Sequence, residues 1–200
     1  MYIGKDGRGG EIALREIAKR LGTLESKTNT VMARAANRAA TAGATVIRRE
    51  TAKRYWIDNQ RDLKEAERIK KAYPAYPTAE LNYTGRHNNL YVFSHHSVSP
   101  RVAVRWPKGK YVSTRIKKTE DWKALSREPA AFVRTVKSGR TLLLHRKGHD
   151  RQATLEGDSA PSIPQIIRNE DTMEEFHEKT DQMLQKRIDH EIEQILRGRG

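Results

Sequence analysis

Four histidines, His95, His96, His145 and His149, would carry the most chemistry if they converged, because imidazole is a common transition-metal ligand. Adjacent residues on a strand point to opposite faces, so His95 and His96 are poorly disposed to share one ion. His177 and His190 lie 13 residues apart in a helical stretch and read as surface positions. The chain has no Cys, which removes thiolate ligands, disulfides and thiol nucleophiles together. Asp121-Trp122-Lys123 has the acid-x-Lys form of metal-dependent nucleases. That chemistry also needs an upstream Asp at the end of a core strand, and the strand residues before it are mostly basic, apolar or hydroxyl-bearing. Lys137-Ser138-Gly139 reads as a turn, not as a nucleophile elbow. Gly4, Gly7, Gly9 and Gly10 form a loose arm, not a phosphate-cradling strand-to-helix turn. These residues point away from an enzyme and call for no metal or cofactor.

The basic residues are more informative. Arg101, Arg105, Lys108, Lys110, Arg115, Lys117 and Lys118 fall within 18 residues, and no acid interrupts them before Glu120 and Asp121. Contact with a phosphate backbone needs charge density and little else. Trp106 and Tyr111 flank a turn in this stretch but lack the spacing of a base-stacking platform. The seven basic residues are therefore candidates for facing DNA, without sequence specificity, or an acidic partner.

The elements that must position them are legible from periodicity. Residues 11–21 read as a short amphipathic helix with Ile12, Leu14, Ile17, Ala18 and Leu21 on one side, ended by Gly22. Ser26 or Thr28 can cap a long Ala-rich helix to about residue 57, a rod of about 45 Å, in which Gly43 marks a bend. A further helix is expected over 60–73, stopped by the Ala-Tyr-Pro-Ala-Tyr-Pro of 72–77. The period then changes to two. Strands are expected over 79–86, 90–98, 101–106, 111–117, 131–136 and 141–146, with hairpin turns at Pro107-Lys108-Gly109 and Lys137-Ser138-Gly139. Residues 147–168 read as a connector, and Asn169 caps a final helix over 169–197 whose apolar stripe runs from Met173 to Leu196.

This order predicts an α+β fold: long N-terminal helices and a C-terminal helix packed on a mostly antiparallel β-sheet of four to six strands. A single domain spanning 1–200 is expected, with residues 1–10 as a flexible N-terminal arm. Its composition is polar, 36% hydrophobic and 32% charged, so much of its surface is solvated or partner-facing. No apolar run approaches a membrane span and no signal-peptide stretch opens the chain, which points to use in a cytoplasm and to no membrane. The net charge of +14 is uneven. Residues 1–75 hold 17 Lys/Arg against 9 Asp/Glu, residues 76–150 hold 15 against 5, and residues 151–200 hold 7 against 11. A basic body with an acidic tail helix suggests two kinds of partner, nucleic acid for one and a basic surface for the other.

Three stretches together resemble the minor tail protein Z, or tail completion, family of bacteriophage proteins. They are Thr30-Val31-Met32-Ala33-Arg34-Ala35-Ala36-Asn37-Arg38-Ala39-Ala40 leading to Ile47–Lys53; Thr84-Gly85-Arg86 with Asn89-Leu90-Tyr91-Val92-Phe93 and Ser97–Arg101; and Pro161-Ser162-Ile163-Pro164-Gln165 with the acidic helix after it. The third is the most specific. One departure is that Asp158-Ser159-Ala160 separates Gly157 from this Pro-Ser-x-Pro-Gln stretch, where the family tends to run glycine directly into it. The resemblance implies a structural, non-catalytic virion protein at the tail or neck. It would complete the head-proximal end of the tail and help head-tail joining, as a homo-oligomeric ring among other tail and neck proteins, with genomic DNA in the channel. Two further readings stand beside it: a free, non-sequence-specific DNA-binding module, and a metal-dependent nuclease resting on Asp121 and Lys123.

Overall fold

The computed structural model describes residues 1–57, 60–96, 112–126, 130–150 and 152–198. The chain divides into two compact units. One comprises Met1–Glu50, Lys64–Thr84 and Ile167–Gly200; the other comprises Thr51–Leu63 and Gly85–Ile166.

The first unit is built on long helices. Helix α1, Gly10–Leu21, ends at Gly22, whose φ of 53° lies in the left-handed region that glycine enters without steric cost. A 3-10 segment, Gly22–Lys27, leads into α2, Thr28–Arg54. In α2, Ala has the highest helix propensity and the smallest side chain, so the helix can form locally and still be approached closely. Val31, Met32, Ala35, Ala36, Ala39, Ala40, Ala44 and Ile47 are all buried. The last helix, Glu170–Leu196, is labelled α5 below. The Asn169 side chain caps it by accepting the Thr172 N–H, and Glu170 and Asp171 lie in the first turn where the helix dipole favours them. Phe176, Thr180, Leu184, Ile188, Ile192 and Ile195 form its buried face, whereas Leu196, expected in the same stripe, is exposed.

Gly43 lies inside the unbroken helix α2, at a close approach of α5. A Cβ built there would stand 2.6 Å from Phe176 Cε2 and 2.8 Å from Thr180 Oγ1, so its absent side chain lets α5 lie directly against α2. The three-stranded sheet of this unit has the order β1-β3-β2, all antiparallel, from Tyr2–Gly4, Thr78–Tyr83 and Glu67–Lys70. It revises two expectations. Residues 1–10 are not a loose arm: Tyr2–Gly4 pair with Thr78–Glu80, and the Met1 amine donates to Leu81 O. The helix expected over 60–73 stops early; α3 is Gln60–Ala66, and Glu67–Lys70 pairs with Leu81 and its neighbours as β2. Ile69 is β-branched and lies on a strand with an exposed alternate face, which the helical spacing of three across Leu63, Ala66 and Ile69 concealed.

The second unit holds small antiparallel sheets instead of the single sheet of four to six strands expected. They have the orders β5-β6-β7, β10-β9-β8 and β11-β4. Their strands are β4 Asn88–Asn89, β5 Ser94–His96, β6 Ser113–Arg115, β7 Lys123–Ala124, β8 Phe132–Thr135, β9 Thr141–Arg146, β10 Leu155–Gly157 and β11 Ser159–Ala160. The hairpin at Lys137-Ser138-Gly139 forms as expected, with Gly139 at φ 79°. Residues 90–92, expected in a strand, instead make a 3-10 turn whose Tyr91 N–H is capped by Asn89. The strand expected over 101–106 and the turn at 107–109 lie outside the described residues.

The expected connector 147–168 is structured. It contains β10, β11 and the short helix α4, Ile163–Ile167. Ser162 opens α4 as half of a capping box: its backbone N–H and its hydroxyl both donate to Gln165 Oε1, at 2.8 and 3.1 Å. This accounts for the Ser-x-x-Gln spacing within the Pro161–Gln165 stretch. The interposed Asp158-Ser159-Ala160 supplies β11, which pairs with β4. Asp158 is buried, its N–H donating to Leu143 O and its carboxylate 3.3 Å from His145 Nδ1. Asn89 joins the parts: its amide accepts from Leu143 N at 2.8 Å and donates to Leu143 O at 2.9 Å.

Candidate functional site

Where α2 ends, the chain becomes extended and its side chains alternate. Tyr55 is buried and bridges to Lys117, Ile57 bridges to Phe93, and Trp56 between them turns outward with 36% of its surface exposed. Backbone hydrogen bonds from Trp56 N to Ile116 O, 2.9 Å, and from Lys118 N to Arg54 O, 2.8 Å, fix this segment beside the chain leaving β6. That pairing brings Arg115 and Lys118 over the Trp56 ring, at 4.7 and 5.0 Å from its centroid. Trp122, one residue before β7 and also 36% exposed, lies 4.9 Å from the same Arg115 guanidinium. Lys117 and Lys123 are exposed close by in the sequence, and Lys117 is met by Glu120 at 3.5 Å.

A cation facing an indole ring is attracted by the ring quadrupole, more strongly where solvent is partly excluded. Arg115 is half-buried, and its Nε is shielded from solvent with no hydrogen-bond partner among the described residues. Neither Arg115 nor Lys118 has a carboxylate partner among the described residues. The cluster therefore holds cations on aromatic surface instead of against acids, and leaves N–H donors of both without a carboxylate among the described residues.

Of the seven basic residues singled out from sequence, Arg115, Lys117 and Lys118 are placed together here. Arg101, Arg105, Lys108 and Lys110 lie outside the described residues. Sequence reasoning missed Trp56 and did not connect Trp122 with the basic run. A signal was present: each Trp stands next to a break in periodicity, and an exposed Trp in a polar chain is informative.

The alternative chemistries find other settings. His95 and His96 lie on β5, His145 on β9 and His149 in the turn after it. His145 is engaged by Asp158 at 3.3 Å and Glu156 at 3.7 Å. Among the described residues no group of three His, Asp or Glu could hold a metal ion. Asp121 and Lys123 are both exposed, and Lys123 lies on β7 at the edge of its sheet. No helix of the described residues is long and apolar enough to cross a membrane.

In the first unit, cations meet acids. Arg20 pairs with Asp189, Arg34 with Glu191 at 3.2 Å, Arg48 with Glu67 at 3.5 Å and Lys70 with Glu80 at 2.8 Å. Tyr83 donates its hydroxyl to Glu67, and burial, then the adjacent carboxylate charge, push its pKa well above the ordinary value of 10.0. A groove of about 540 Å³ runs past Arg34, Asn37, Arg38, Lys71 and Glu191, with the Arg34–Glu191 pair in its wall.

Comparison with known proteins gives one match. The family model described as prophage minor tail protein Z matches residues 11–199, nearly the whole chain. No curated protein and no solved structure matches it.

Proposed function

The chain belongs to the prophage minor tail protein Z family and is thus a structural component of a phage tail; from that premise we propose that it completes the head-proximal end of the tail and helps join tail to head. It does so as a homo-oligomeric ring about the DNA channel, among other tail and neck proteins, and without catalysis. The observation that carries this reading is the family match over residues 11–199. Two features support the finer part. The charge of the chain is split, basic through residue 150 and acidic beyond it, which suits repeated contacts between unlike faces of neighbouring copies. The basic run that includes Arg115, Lys117 and Lys118 suits a surface turned toward polyanionic DNA.

The test is the mass of the purified protein by light scattering behind a sizing column, alone and with isolated tails, paired with electron microscopy of lysates lacking the protein. A closed oligomer, free or on tails, and separate heads and tails in the lysate are expected. A strict monomer that never joins virions, with head-tail joining intact in its absence, overturns the reading. A second reading, a free DNA-binding module, draws on the net charge of +14. It requires a monomer that gathers only on DNA and binds with steep salt dependence.

A further inference from the structure

We propose that Arg115, held by Trp56 and Trp122, is a pre-set phosphodiester fork that, with Lys118, contacts the backbone of duplex DNA. The proposal rests on the reading above that this basic surface is turned toward DNA, and it names the residues and the chemistry of the contact. A guanidinium has two faces and an edge. Indole centroids at 4.7 and 4.9 Å from the same guanidinium crowd this small planar ion with two rings. With Nε shielded, the donors left for an acceptor are those of the two terminal nitrogens, a pair that matches the two free oxygens of a phosphodiester.

The rings also restrict the side chain. A free arginine loses considerable rotamer entropy when it binds, and one already held by packing loses less. Arg115 keeps this position although its Nε is shielded without a partner, so the arrangement is not explained by its internal hydrogen bonding.

Lys118 shares the Trp56 ring with Arg115, so two like charges are held near one another with no carboxylate of their own among the described residues. Glu120 answers Lys117, and Asp121 is exposed nearby, but neither meets this pair. Closely spaced cations call for closely spaced anions, which a nucleic-acid backbone supplies at every nucleotide. The indoles are already engaged by cations, so the patch reads charge and not base identity.

The experiment measures binding of the full-length protein, in whatever oligomer it forms, to a fluorescent mixed-sequence duplex across a salt series. Wild type, Arg115→Lys and Lys118→Gln are compared, each checked for unchanged circular dichroism, with polyglutamate as competitor. Arg115→Lys keeps the charge and loses the fork, so affinity falls about tenfold while the salt slope stays as in wild type. Lys118→Gln removes one ionic contact, and the salt slope falls by about one. If wild type binds duplex and both variants bind as it does, the fork is wrong and the DNA-facing reading survives on other cations. If wild type binds no duplex at low salt, both the fork and the DNA-facing reading fail. If polyglutamate competes as well as duplex and is lost equally in Arg115→Lys, the patch serves an acidic protein surface and the proposal is overturned.

Discussion

The two units differ in how they hold some of their cations. In the first, Arg20, Arg34, Arg48 and Lys70 each face a carboxylate, and all four reach across from one element to another. In the second, Arg115 and Lys118 rest on tryptophan. A cation neutralised by an acid is a modest contribution to stability and offers little to a partner. A cation supported by an aromatic ring is held in place while its charge stays unanswered. The contrast separates cations that tie elements of a scaffold together from a pair whose charge stays available.

Packing differs in parallel. The first unit has long helices in close contact at Gly43, with apolar side chains spaced three and four along α5. The second has strands of two to six residues joined by side-chain to backbone hydrogen bonds, those of Asn89 foremost. The first unit is therefore most sensitive to lost apolar volume and the second to lost polar links.

The largest effect is expected from Phe176→Ala. It empties the contact with Gly43 and removes a side chain only 2% exposed, at a cost of about 3–5 kcal/mol, read as a lowered urea midpoint. A midpoint near wild type would mean that α5 is not held by this contact. Next is Asn89→Ala, which takes the acceptor from the N–H of fully buried Leu143 and leaves its C=O with the Asp158 N–H alone, and costs about 2 kcal/mol. Amide exchange at Leu143 should speed up with it; an unchanged rate would contradict the reliance of this unit on polar links. Ser162→Ala removes the hydroxyl that donates to Gln165 Oε1, keeps the backbone N–H bond to the same oxygen and costs about 1 kcal/mol, whereas Ser162→Thr retains the hydroxyl donor and recovers most of it.

The smallest effect is on pH dependence. Tyr83 keeps its proton in the folded chain above the pH at which an unfolded tyrosine, with its ordinary value of 10.0, releases it. The folded state then binds more protons, so stability is level below about pH 10 and declines above it. Tyr83→Phe should flatten that alkaline decline, measured by thermal melts between pH 8 and about pH 11. An equally steep decline in the variant would place the alkaline sensitivity elsewhere.

Much of this was readable in advance, for identifiable reasons. Helices α1, α2 and α5 announce themselves through periodicity, the stop at Gly22 and the cap at Asn169, because these are local properties of a dozen or more residues. The hairpin of β8 and β9 was legible from Lys137-Ser138-Gly139 between alternating residues. The 67–70 segment was not, since four residues following a helix can continue it or pair with a strand, and the pairing partner at 80–83 is remote in sequence. The ordered 155–167 segment was likewise hidden behind glycines and prolines that usually mark loops.

By itself, the sequence determined the helices, the antiparallel character of the strands, the distribution of charge and the family, because each rests on local pattern or on an alignable stretch. The tertiary structure alone decided that Gly43 marks a close helix contact, and that the N-terminal residues form a strand. It also decided that Trp56 and Trp122, 66 residues apart, hold the same arginine. Each of these depends on what a distant part of the chain places alongside, and side-chain chemistry at one position carries no record of its partner at another.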